Sequence, residues 1–260
     1  MLRAICAALP LALTAAAAPG CAENESQIFI VGVMKLESTD CILSPEADAP
    51  LLTGGVLDRA LRNGYRGGLL IGSQLTQRGS REQLRTETAR LALRGAEIRL
   101  ETVGGAPLAE YTTIGTGFVN PSSDTAPGYG AMAVDIVPAG APVGDGLIVA
   151  RIRVFGETLG GQDIESNEYF FPIEVCNGCL IAYPIEAADP SLQPGEPYRC
   201  ATKPVEAGSD PGERVCQIGQ DLVVSCTTCS AANPACANPC QNCWARPFLD
   251  CGDEPEPFCG

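Results

Sequence analysis

The sequence predicts an all-β protein, an antiparallel β-sandwich over residues 27–175 followed by a small, disulfide-rich and mostly irregular segment over 176–260. Three observations predict it. Apolar and polar residues alternate at period two through several short runs, the pattern of strands that lay one face on a core. Glycine and proline clusters interrupt those runs at Thr53-Gly54-Gly55, Asn63-Gly64, Gly104-Gly105, Asn120-Pro121-Ser122 and Pro138 to Gly144, as turns between short strands do. Eleven cysteines fall between Cys176 and Cys259, where proline, acidic and small residues replace large apolar ones, so this segment needs covalent staples to fold.

In chain order, Ile28 to Val33 is a continuous apolar, β-branched run and Leu69 to Ile71 a shorter one, both suited to buried strands. Ser80-Arg81-Glu82-Gln83 has the form of a capping box before Leu84 and would open a helix ending at Gly95. A strand fits residues 80–95 better, because Leu91 and Leu93 alternate, and so do Ile98 and Leu100 beyond them. The change of parity across Gly95-Ala96 then marks a β-bulge. Met132, Val134 and Ile136 share a face with Asp135 opposite, and Ile148, Ile152 and Val154 oppose Arg151 and Arg153. Tyr169, Phe171, Ile173 and Val175 line one face of a final strand, with a hairpin signal, Leu159-Gly160-Gly161-Gln162, between the last two strands. The whole resembles an immunoglobulin-like sandwich in its layering. The Cys, Trp, Cys pattern of antibody domains is missing, since the first cysteine of the sandwich is Cys41 and the only tryptophan is Trp244.

The first twenty residues stand apart. Arg3 precedes an apolar, alanine-rich stretch from Ala4 to Ala18, the order of a secretory signal peptide. That stretch is shorter than the roughly 20 apolar residues a membrane-spanning helix needs. Ala18-Pro19-Gly20-Cys21 resembles the lipobox of bacterial lipoproteins. The resemblance implies that residues 1–20 are removed, that Cys21 carries diacylglycerol and an N-acyl chain, and that residues 21–26 tether the fold to a membrane. Each buried methylene adds about 0.8 kcal/mol of membrane affinity, so three chains hold where one would not. Ala22 in place of aspartate implies an outer-membrane or cell-envelope address.

Fourteen cysteines suit an oxidising compartment. Setting aside Cys6 and Cys21 leaves Cys41, Cys176, Cys179, Cys200, Cys216, Cys226, Cys229, Cys236, Cys240, Cys243, Cys251 and Cys259, an even set that can pair completely. Because all but Cys41 lie at or beyond Cys176, parity predicts a bond from Cys41 to Cys176 or Cys179, stapling the start of the sandwich to its end. Three C-x-x-C pairs occur, Cys176 with Cys179, Cys226 with Cys229 and Cys240 with Cys243. In a reducing compartment they would point to zinc, but export favours disulfides over any metal or cofactor. A thiol oxidoreductase or electron carrier is the alternative reading of the same pairs. It calls for a thiol at a helix N-terminus, whereas Cys176-Asn177-Gly178-Cys179 follows a strand and contains a turn dipeptide.

Charge and missing residue types exclude more. Without residues 1–20 the chain holds 16 cations against 31 acids, which argues against nucleic acid. The balance is uneven, because residues 56–100 hold nine arginines against four acids. Arg81, Arg85, Arg90, Arg94 and Arg99 form a candidate patch facing anionic headgroups, a glycan or an acidic neighbour, against the simpler reading of a solvated face. There is no histidine, which removes Ser-His-Asp, Cys-His and most zinc-hydrolase chemistry. Glu165 with Glu168 is the nearest thing to a catalytic carboxylate pair, and on a strand those two point to opposite faces. The expectation is therefore a non-catalytic, lipid-anchored envelope protein that binds or helps assemble a protein or glycan partner.

Overall fold

Alternating side chains bury one face of most of the strands, and that face builds the core of this protein, seen here as a computed structural model that describes residues 27–35, 42–78, 86–123, 125–182 and 216–225. Twelve strands are present among them. They are β1 (Ile28–Met34), β2 (Leu51–Leu52), β3 (Gly55–Asp58), β4 (Tyr65–Ser73), β5 (Leu91–Thr102), β6 (Pro107–Val119), β7 (Gly128–Val137), β8 (Gly146–Thr158), β9 (Asp163–Glu165), β10 (Tyr169–Cys176), β11 (Ile181–Ala182) and β12 (Val224–Ser225). The described residues contain no helix. The all-β expectation holds.

Ten strands form one sheet in the order β2-β1-β4-β7-β6-β5-β8-β10-β3, with β9 also on β8. Neighbours are antiparallel except β3, which runs parallel to β10. Thr53-Gly54 carries the chain from β2 on one edge of this sheet to β3 on the other. The three Cα–Cα links from Leu52 to Gly55 span at most about 11 Å, so the sheet must curl until its edges nearly meet. The result is close to a barrel, one continuous path of strands rather than two separate sheets. β11 and β12 form a separate parallel pair.

Leu69, Ile71, Leu91, Ile98, Leu100, Met132, Ile136 and Phe171 are fully buried in the interior, and the Tyr65 and Phe171 rings meet at 5.8 Å between centroids. The joint between β6 and β7 is thin, because the two share one registered pair, Val119 with Gly130. Glycine is required there: a β-carbon on Gly117 would run into the Ala131 carbonyl, and one on Gly130 into the Phe118 carbonyl. Farther along the same joint, the Tyr111 hydroxyl donates to the Ile136 carbonyl.

The strands read from alternation lie where the pattern placed them. Leu91 to Gly95 belongs to β5, which rules out the helical reading there, while Ser80 to Gln83 fall outside the described residues. The bulge is present: register slips between Leu93 and Gly95 in the ladders to both β6 and β8. At the expected hairpin, Gly161 takes a φ of 82° and its N–H donates to the Thr158 carbonyl.

One expectation is corrected. Cys176 and Cys179 are bonded to each other, not to Cys41. Gly178, at a φ of 89°, turns the chain tightly enough to bring the two α-carbons to 5.9 Å. Parity alone does not reveal a bond across so short a loop.

Candidate functional site

β3 is four residues long and sits where distant parts of the chain converge. Its last residue, Asp58, has no solvent exposure. A buried carboxylate survives only if hydrogen bonds replace its water, and Asp58 accepts three. The Ala60 and Gly178 N–H groups donate to Oδ1 at 2.9 and 2.5 Å, and the Leu180 N–H donates to Oδ2 at 2.9 Å. The first closes an Asx-type turn that ends β3. The other two hold the Cys176–Cys179 turn, whose two sulfurs and an Asp58 oxygen all lie within 4.8 Å of one another. The ladder sets this juxtaposition, since the parallel register places Cys176 beside Asp58 and the Arg59 N–H donates to the Cys176 carbonyl at 2.8 Å.

A second polar cluster lies on the other side of β3. Residues 216–222, from the cysteine-rich segment, enter between β3 and β4. Gln220 bridges antiparallel to Leu57 in β3, and Gly219 accepts from the Asp58 N–H at 2.9 Å. Toward β4 the Gln220 side chain acts as a strand would. Its Oε1 accepts from the Arg66 N–H at 2.9 Å while its Nε2 donates to the Arg66 carbonyl at 2.7 Å. Asp221, at a φ of 59°, accepts from the Val56 N–H at 2.9 Å and the Tyr65 hydroxyl at 2.8 Å. An aspartate tolerates this left-handed conformation better than most residues. Beside the cluster is a cavity of about 180 Å³ lined by Val33, Met34, Tyr65, Gly67, Gln217 and Asp221. The Gln217 Oε1 is buried and has no hydrogen-bond partner among the described residues.

Burial raises the Asp221 carboxyl above the usual carboxylate range, and the bonds it accepts from the Val56 N–H, the Tyr65 hydroxyl and the Gln220 side-chain amide oppose that shift. Burial, then the Asp221 charge, pushes the Tyr65 phenol above its usual range. A carboxyl with a raised folded pKa binds its proton more tightly in the folded state, so its contribution to stability is present below the unfolded value and lost as pH rises through the folded one. Urea midpoints of wild type should therefore gain from Asp221 on acidification from neutral pH toward about 4, near the ordinary aspartate value. That gain should vanish in Asp221→Asn. Equal pH slopes in the two proteins would contradict it.

Among the other residues singled out by sequence, Cys216 is disulfide-bonded, to a partner outside the described residues. Cys21, Cys41, Cys200, Cys226, Cys229, Cys236, Cys240, Cys243, Cys251, Cys259, Arg81 and Arg85 also lie outside them. Arg90 stacks over the Phe118 ring at 4.6 Å. Arg94 pairs with Glu157, and Arg99 with Glu110 at 3.5 Å and Glu101 at 4.0 Å. Among the described residues of the candidate anion-facing patch, Arg94 and Arg99 are thus paired with acids, while Arg90 lies on an aromatic ring. Glu168 pairs with Arg151 and Arg153 at 3.4 and 3.6 Å. Asp58, Tyr65, Gln220 and Asp221 are the residues that sequence reasoning missed. Only Asp58 left a local trace, an aspartate closing an apolar run, as an Asx turn requires. No family model, curated protein or solved structure matches the chain.

Proposed function

We propose that the chain is an exported, lipid-anchored envelope protein whose folded part is a non-catalytic scaffold for binding or assembling a protein or glycan partner. The observation that carries this reading is how the buried polar groups at the convergence point are used. Asp58, Asp221 and Gln220 spend their hydrogen bonds on the chain's own backbone and side chains, fixing the cysteine-rich segment to the sheet. Groups so committed stabilise structure rather than transform a substrate. The Arg99 ion pairs support loops and apolar outer positions as the contact surface in preference to an arginine patch. On β6, Ile114 and Phe118 are large, outward and exposed among threonines.

The finer architecture belongs to the same reading. A sheet with one continuous path of strands can still flatten into two facing layers of immunoglobulin-like kind, and the single registered pair between β6 and β7 supports a corner there.

The anchor is tested by detergent phase partition of the full chain expressed in a bacterial host. Wild type should enter the detergent phase and Cys21→Ser the aqueous phase, because the acyl chains supply the membrane affinity. If both proteins partition alike, the lipid-anchored reading fails.

A further inference from the structure

The Asp58 cluster has an acceptor to spare. A carboxylate offers about four lone-pair positions, and three are taken among the described residues, two on Oδ1 and one on Oδ2. The remaining position is on Oδ2. The Cys176 and Cys179 sulfurs stand within 4.8 Å of an Asp58 oxygen, and both cysteines are only half buried.

The backbone holds these three side chains together independently of the sulfur–sulfur bond. Cys176 is fixed by the parallel ladder to β3 and by the Arg59 N–H, and the turn beyond it by Gly178 and Leu180 donating to Asp58. Opening the disulfide therefore leaves two thiols preorganised beside a buried carboxylate. None of the ion pairs among the described residues involves Asp58. Two thiolates added there would gather three negative charges with no counter-ion among the described residues, and a divalent cation supplies one.

We propose that reduction of the Cys176–Cys179 bond converts this turn into a site for a thiophilic divalent cation such as zinc, held by two thiolates and the Asp58 carboxylate with solvent in the fourth position. A dithiol reductant gives two electrons and two protons to the disulfide. The Cys176–Cys179 bond breaks, two thiols form and the reductant closes its own disulfide. Metal uptake then releases the two thiol protons and forms two metal–sulfur bonds and one metal–oxygen bond. Bonds of about 2.3 Å to sulfur and 2.0 to 2.2 Å to oxygen put ligand atoms roughly 3.5 to 4 Å apart, so small side-chain rotations close the cluster. The oxidised state is a staple and the reduced state a metal site. This goes beyond the scaffold reading and does not depend on the anchor.

The test is alkylation footprinting of the full chain, reduced without denaturant by a phosphine that leaves zinc alone, with rates read peptide by peptide. In wild type, zinc should slow alkylation of Cys176 and Cys179 at least tenfold. Asp58→Asn, which keeps an acceptor oxygen but is a poor ligand, should need about tenfold more zinc for the same protection. Equal rates at these two cysteines with and without zinc in wild type would overturn the proposal whatever the variant does. So would an Asp58→Asn titration identical to wild type. If Asp58→Asn does not fold, the wild-type footprint alone decides, because it needs no substitution.

Discussion

Asp58→Ala is expected to lower the unfolding free energy by about 3 to 5 kcal/mol, because it strands three N–H groups at about 1 to 3 kcal/mol each, partly relieved by relaxation and water entry. The groups are those of Ala60, Gly178 and Leu180. Asp58→Asn should cost less, about 1 to 2 kcal/mol, since one oxygen can still receive the Ala60 and Gly178 bonds. Urea denaturation of the oxidised chain checks both values. An alanine variant within about 0.5 kcal/mol of wild type, the range of an ordinary surface substitution, would mean that Asp58 does not hold the β3–β10 junction.

The second large effect tests which face of β10 is inward. Phe171 has no exposure and its ring meets Tyr65, so Phe171→Ala should cost about 3 to 5 kcal/mol through lost burial and the cavity left behind. Its neighbour Phe170 points outward, 52% exposed, with the Arg151 guanidinium 4.8 Å from its ring centroid. Phe170→Ala should cost at most about 1 kcal/mol, the scale of an exposed cation–π contact. Thermal and urea unfolding of the pair would show it. Equal losses at the two positions would contradict the period-two assignment of this strand.

The same periodicity explains what the sequence made legible. β7, β8 and β10 each bury one face and expose the other, so their side chains alternate in type and the strands can be read directly. The bulge in β5 was legible because a slip of one residue inverts that alternation. β6 was not legible. Thr112, Ile114, Thr116 and Phe118 face solvent, while Gly115 and Gly117 occupy the other face where β7 passes close, so neither face carries an apolar stripe.

The candidate site was hidden for a different reason. Asp221 reaches Val56 across 165 residues, and Gln220 reaches Arg66 across 154. Nothing local in either segment marks a pairing at such separation. Counting cysteines gave Cys176 and Cys179 the wrong partner. It treated Cys176 and Cys179 as ends to be tied elsewhere, whereas Gly178 folds them onto each other. Under complete pairing, Cys41 then belongs with one of the cysteines from Cys200 onward.

In the proposed function the chain has left the reducing cytosol, fastened by lipid at Cys21 and with its remaining sulfurs bonded to one another. Mass spectrometry of the protein taken from native membranes, alkylated before any reduction, reads both features in one spectrum. The expected result is an amino-terminal peptide that begins at Cys21 and carries three acyl chains, with no alkyl label on any other cysteine. A peptide that still begins at Met1, or an unacylated Cys21 with label spread over the downstream cysteines, would contradict it.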